Sequence, residues 1–144
     1  MDITTELLTN FDQYSKIDEL RKEVFNIKNS SGSYYLNGLI NNKIKAIATM
    51  DNNEMIAGCY FHNFSTNLVI DLLFVKEQYQ ETGLKLGRHL LLDILSNKDK
   101  IEKILHTKLS ISSIEPLDEK AEALYKKIGY RSNNSILGTM YKAI

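Results

Sequence analysis

Nine consecutive residues, Gln80-Glu81-Thr82-Gly83-Leu84-Lys85-Leu86-Gly87-Arg88, read as a loop turning into a helix. An apolar run at 68–75 precedes them, and a leucine-rich run follows. A strand that ends in such a loop leaves backbone N–H groups without helical partners, where the helix dipole adds about half a positive charge. A phosphate or pyrophosphate is the natural occupant of that place. A plain strand-to-helix turn would carry the same two glycines. A nucleotide P-loop fits poorly, because Arg88-His89 follow the second glycine in place of Lys and Ser or Thr. The glycine spacing is not that of a dinucleotide fold either.

Asp71 is the second candidate. It is the one charged residue in the 68–75 run, and an unpaired buried carboxylate costs several kcal/mol or takes up a proton. By strand alternation it shares a face with Leu73 and Val75. A substrate ammonium could be its partner, or a nearby Lys, Arg or backbone N–H. His62, His89 and His106 show no metal-ligand spacing with any Cys or carboxylate set. His62 ends a strand, where the substrate cleft or, more in keeping with its place, the surface would receive it, and His89 reads as an exposed residue on the first turn of a helix. Cys59 lies in an apolar strand and reads as a small core residue.

The elements that must position these groups follow from periodicity. After a short strand near Ile3, residues 17–25 have helical spacing, with Ile17, Leu20, Val24 and Phe25 on one side. A short helix is expected at 34–40. Residues 44–50 and 55–61 form a hairpin around Asp51-Asn52-Asn53-Glu54, and 68–75 continues the meander as a central strand covered on both faces. The leucine helix carries Leu86, Leu90 and Ile94 at four-residue steps, with Leu91 and Leu95 beside them. A strand at 108–114 leads to Pro116-Leu117-Asp118, with Asp118 as N-cap of a helix lined by Ala121, Leu124, Tyr125 and Ile128. Gly129 stands where a left-handed residue ends that helix. Two short strands close the chain, near 130–132 and 136–142. The fold class is α/β, mixed and α+β-like: a single domain over residues 1–144 with a mostly antiparallel sheet flanked by helices.

Composition narrows the function. A chain of 144 residues is one domain by length, and such a domain buries about two-thirds of its unfolded surface. Hydrophobic content of 43% and charged content of 25% are those of a soluble globular protein. The 18 basic residues balance the 18 acidic ones, which counts against a nucleic-acid partner, since that needs a basic field. No apolar run is long enough for a membrane span, and residues 1–13 lack the pattern of a signal peptide. The single cysteine excludes an internal disulfide and fits a reducing cytoplasm.

The glycine loop acquires meaning beside a later motif. Asp118-Glu119-Lys120-Ala121 and Leu124-Tyr125-Lys126-Lys127-Ile128-Gly129-Tyr130 lie about 40 residues downstream, after a strand. Together with Leu73-Phe74-Val75 and Gln80-Glu81-Thr82-Gly83-Leu84-Lys85, this pair resembles the Gcn5-related N-acetyltransferase (GNAT) superfamily. There a strand leads to a Gln/Arg-x-x-Gly-x-Gly/Ala loop and a helix, and a later helix carries Asn-x-x-Ala-x-x-x-Tyr-x-x-x-Gly-Phe/Tyr. The resemblance covers residues 55–144 well and the first 50 only in pattern. Lys85 stands where that loop usually has Gly or Ala, and Asp118 replaces the usual Asn.

The resemblance implies transfer of an acetyl group from acetyl-CoA to a primary amine, by direct attack in a ternary complex, with no metal. A splayed strand pair would hold the coenzyme. Its pyrophosphate would lie on amides within 80–88, where Gln80, Glu81, Thr82, Gly83, Lys85, Gly87 and Arg88 are the candidates. Its amide-bearing arm would pair with Leu73, Phe74 and Val75 like an added strand. Asp118 matches a coenzyme contact and is also a helix cap. Tyr125 matches the tyrosine that donates to the leaving sulfur, and a phenol of ordinary pKa about 10 is protonated at pH 7. Asp71 falls near the expected thioester. Tyr34-Tyr35 lie where the family often builds its acceptor pocket, although an aromatic core patch would look the same. The acceptor is a small-molecule or peptide amine, and a homodimer is among the states the resemblance allows. A non-catalytic acyl-CoA-binding or sensor domain of the same fold is the alternative.

Overall fold

Two-residue turns organise the first half of the sheet. In the computed structural model, which describes residues 2–28, 33–80, 85–132 and 138–144, strand β1 (Ile3–Leu7) pairs antiparallel with β2 (Lys45–Asp51). Only Asn52 and Asn53 separate β2 from β3 (Glu54–Phe64), and only Ser65 and Thr66 separate β3 from β4 (Asn67–Val75). Neighbouring strands joined so tightly must run antiparallel. Asn52 and Ser65 each take the left-handed conformation, at φ 54°, that such turns require. Strand β5 (Ile111–Ile114) then pairs parallel with β4, and β6 (Met140–Ala143) pairs antiparallel with β5. The six strands form one mixed sheet in sequence order.

The helices are α1 (Phe11–Val24), α2 (Tyr34–Ile40), α3 (Glu77–Gln80), α4 (Leu86–Ser96), α5 (Lys98–Leu105) and α6 (Glu119–Ile128). Helix α1 starts earlier than hydrophobic spacing predicts, because a capping box sets its end. Asn10 Oδ1 accepts from the Gln13 backbone N–H at 3.0 Å, and Gln13 Oε1 accepts from Asn10 N–H at 3.3 Å. Helix α5 is not foreseen from the sequence. Asn97 opens it, and His106, in left-handed conformation, closes it.

Three other expectations need correction. Strand β5 begins at Ile111 rather than at residue 108. The expected strand near 130–132 is a single bridge, Arg131 to Tyr141, and Ile136 of the last strand lies outside the described residues. Strand β4 is central, but only one of its faces is well covered. Leu68, Ile70 and Phe74 are buried and Leu72, half-buried, packs against the core beside them, whereas Val69, Asp71, Leu73 and Val75 on the other face are all half-buried. Among the described residues no helix is long and apolar enough to cross a membrane.

Two compact units share the strands and helix α4. The first comprises Met1–Tyr60 and Leu72–Leu91. Its core gathers Ile17 and Leu20 of α1, Leu39 of α2, Ile44, Ala46 and Ala48, Tyr60 of β3 and Phe74 of β4. The second comprises Phe61–Asp71 and Leu92–Ile144. Ser112 is fully buried there; its Oγ donates to the Leu68 carbonyl at 2.9 Å and lies 2.8 Å from the Tyr130 hydroxyl. Tyr125 stands edge-on to Tyr130, with ring centroids 6.3 Å apart.

Candidate functional site

Strand β4 is the backbone of the site. Its ladder with β5 covers only residues 67–70 opposite 111–114. From Asp71 to Val75 the strand runs on outside that ladder. Among the described residues, Leu73, Phe74 and Val75 therefore lie beyond the end of the β4–β5 ladder. The Phe74 side chain turns into the core, 4% exposed, against Phe25 and Tyr60. Phe74 has only its backbone to offer a ligand. Leu73 and Val75 point to the other, half-open face.

Helix α4 begins over that face. A Cβ built on Gly87 would stand 3.6 Å from Val75 Cγ2 and 3.9 Å from Leu73 Cδ2, which is ordinary contact. The helix start thus lies directly against the end of β4. The first helical bond runs from His89 N–H to the Lys85 carbonyl at 3.0 Å. Consequently the N–H groups of Leu86, Gly87 and Arg88 have no acceptor within the helix. Lys85 has φ 52°, a left-handed value that explains why Gly suits this position better than Lys. The Lys85 side chain is exposed and that of Arg88 is half-buried. Neither makes an ion pair among the described residues. Glu81, Thr82 and Gly83 lie outside the described residues.

The segment before the loop is tied down on its other side. Gln80 Nε2 donates to the Val75 carbonyl at 2.8 Å. Lys76 Nζ lies 2.7 Å from Glu54 Oε1, and the Tyr79 hydroxyl donates to Asp51 Oδ2 at 3.2 Å and Glu54 Oε2 at 3.3 Å. The Lys76 ammonium holds the Glu54 carboxyl below its ordinary pKa, and Glu54 in turn raises that of Lys76. This attachment of α3 to the β2–β3 turn has no motif in the sequence.

Asp71 has a partner that sequence reasoning missed. His62 Nδ1 lies 2.7 Å from Asp71 Oδ2, with side chains 30% and 16% exposed respectively. Burial pushes the Asp71 carboxyl up from its ordinary pKa, and the His62 imidazole opposes the shift. The signal was available: the short turn between β3 and β4 brings the residues on either side of it together. Asp118 is the N-cap of α6, accepting from Ala121 N–H at 2.8 Å, and is exposed. Tyr125 is 5% exposed. Tyr34 is exposed, whereas Tyr35 stacks on Tyr60 at 4.5 Å, beneath the Arg21 guanidinium at 5.1 Å. His89 is exposed and Cys59 is fully buried, as their sequence positions suggest. No cluster of three or more His, Cys, Asp or Glu suited to a metal occurs among the described residues.

No family model matches the sequence, and no curated protein does. Solved structures match over essentially the whole chain. The PaiA N-acetyltransferase from Thermoplasma acidophilum, in complex with coenzyme A, superposes with a TM-score of 0.73 at 16% identity, covering 100% of both chains. The ribosomal-protein-S18-alanine N-acetyltransferase from Escherichia coli gives 0.73 at 16% identity, over 99% of this chain and 94% of its own. A GNAT-family structure from Desulfovibrio desulfuricans gives 0.72 at 9% identity, over 99% and 98%. The fold is that of the GNAT acetyltransferases. TM-scores of 0.72–0.73 over nearly the whole chain, at 9–16% identity, make this a likeness of fold.

Proposed function

We propose that the chain is an acetyl-CoA-dependent N-acetyltransferase acting on a primary amine of a small molecule or peptide. One observation carries the reading: the unladdered end of β4 meets the N-terminus of α4, with a left-handed Lys85 at the junction. The PaiA structure of the same fold holds coenzyme A, which supports the choice of ligand.

In this reading the N–H groups of Leu86, Gly87 and Arg88, with those of the preceding loop, receive the pyrophosphate. Lys85 and Arg88 add positive charge. The main chain of Leu73, Phe74 and Val75 pairs with the amides of the pantetheine arm. Asp71 takes part in deprotonating the ammonium of the acceptor. Tyr125 donates the proton that the departing sulfur requires, and Asp118 caps the helix that carries Tyr125.

Release of free thiol from acetyl-CoA across a panel of amines tests the proposal. Tyr125→Phe removes one oxygen and should lower kcat about 100-fold or more, the usual contribution of a general acid. Affinity for the coenzyme should stay near that of the wild type. An unchanged kcat would remove Tyr125 from the mechanism. Coenzyme binding without turnover of any amine would favour the sensor domain.

A further inference from the structure

The β3–β4 hairpin holds a histidine–carboxylate pair. His62 Nδ1 stands 2.7 Å from Asp71 Oδ2. At 30% and 16% exposure the two side chains are neither freely solvated nor sealed from a ligand. Neither makes another hydrogen bond or ion pair among the described residues, so each is the other's titratable neighbour. A carboxylate that accepts from Nδ1–H fixes the neutral imidazole in one tautomer and leaves the lone pair on Nε2. Asp71 lies two residues before Leu73 on the half-open side of β4.

We infer that His62 Nε2 is the base that takes the proton from the acceptor ammonium, with Asp71 as the positioning residue that orients the ring. The inference rests on the transferase reading above and gives its proton chemistry a second residue. An amine is a cation at neutral pH and cannot attack until it loses a proton. His62 takes that proton, and the freed nitrogen lone pair forms the C–N bond at the thioester carbonyl. The C–S bond then breaks, its electron pair leaves on sulfur, and Tyr125 protonates the sulfur. The surplus proton on the new amide nitrogen returns to the Tyr125 oxygen through water. His62 releases its proton to solvent. The sum is ammonium plus thioester giving amide, thiol and one proton.

A merely structural pair would hold the hairpin and nothing more. His62→Asn separates the two roles, because its side-chain N–H₂ can replace the Nδ1 donor to Asp71 while offering no base. It should lower kcat/KM by about 100-fold or more at pH 7, abolish the acidic limb of the pH–rate profile, and leave coenzyme affinity unchanged. Asp71→Asn keeps a hydrogen-bond partner for Nδ1 but no longer fixes the tautomer, so kcat/KM should fall at pH 7 while coenzyme affinity holds. Nitrogen-15 spectra of the wild type should show His62 protonated at Nδ1 in its neutral form. An active wild type whose rate and profile survive His62→Asn, an unchanged kcat/KM in Asp71→Asn, or the opposite tautomer would each overturn this inference alone. A wild type that binds coenzyme A and acetylates no amine overturns the transferase reading and this inference with it.

Discussion

Gly58 leaves no room for a side chain against Ile17 and Phe74, and a methyl group there has a calculable cost. A Cβ at this position would stand 2.7 Å from Ile17 Cδ1, 2.8 Å from Phe74 Cζ and 3.0 Å from Ile17 Cγ1. Ile17 is fully buried and Phe74 is 4% exposed, so neither can swing into solvent. Overpacking of this kind costs about 1–3 kcal/mol. For a chain of this length that is a fall in Tm of about 3–10 °C. The clash also names its own remedy, since Ile17→Val deletes the Cδ1 atom. Alone, Ile17→Val should cost about 0.5–1.5 kcal/mol for the lost methyl. Combined with Gly58→Ala, it should cost less than the sum of the two by at least about 0.5 kcal/mol. Urea unfolding of the wild type, both single variants and the double variant measures this coupling. Strictly additive costs, or a Gly58→Ala protein within about 0.5 kcal/mol of wild type, would refute the packing argument.

Lys85→Gly removes a left-handed strain of about 1–2 kcal/mol at some entropic cost, for a net gain of up to about 1 kcal/mol. Thermal melts should show a small rise in Tm, and a fall would show that the Lys85 side chain matters more than its backbone. Asp18→Ala should be severe, because Arg21 is 8% exposed and its guanidinium donates to Asp18 Oδ1 through both Nε and Nη2. Stranding that cation should cost about 3–5 kcal/mol by denaturant unfolding, and Asp18→Ala/Arg21→Leu should recover part of the loss. For Glu54 the folded carboxyl titrates below its ordinary value because of Lys76. Its contribution is therefore full above the ordinary glutamate pKa and is lost as pH falls through the lowered one. The stability difference between wild type and Glu54→Gln should persist at neutral pH and vanish in acid. A difference that grows in acid would contradict the sign.

The sequence reveals elements where local chemistry and burial agree. Helix α2 occupies the expected span, Asp118 caps α6 and Gly129 ends it in left-handed conformation at φ 118°. The half-open side of β4 shows the limit of that agreement. Its apolar residues suggest two covered faces, but coverage depends on tertiary packing rather than on strand composition. Helix α5 was missed because α4 and α5 are separated by Asn97 alone, without proline or glycine to punctuate them. The early start of α1 was legible in Asn10 and Gln13 as a capping pair, although its first turn is polar and carries no apolar period. The His62–Asp71 pair joins two strands, and periodicity along one strand does not register such a neighbour. The attachment of Tyr79 to Asp51 and Glu54 joins residues more than 20 positions apart, beyond the reach of a local pattern.

Titration calorimetry of the purified protein with coenzyme A, followed by backbone amide spectra of the same complex, addresses the central claim directly. The account predicts one saturable site and amide shifts concentrated at Leu73, Phe74, Val75, Leu86, Gly87 and Arg88. Absence of heat together with unshifted amides at the start of α4 would contradict it.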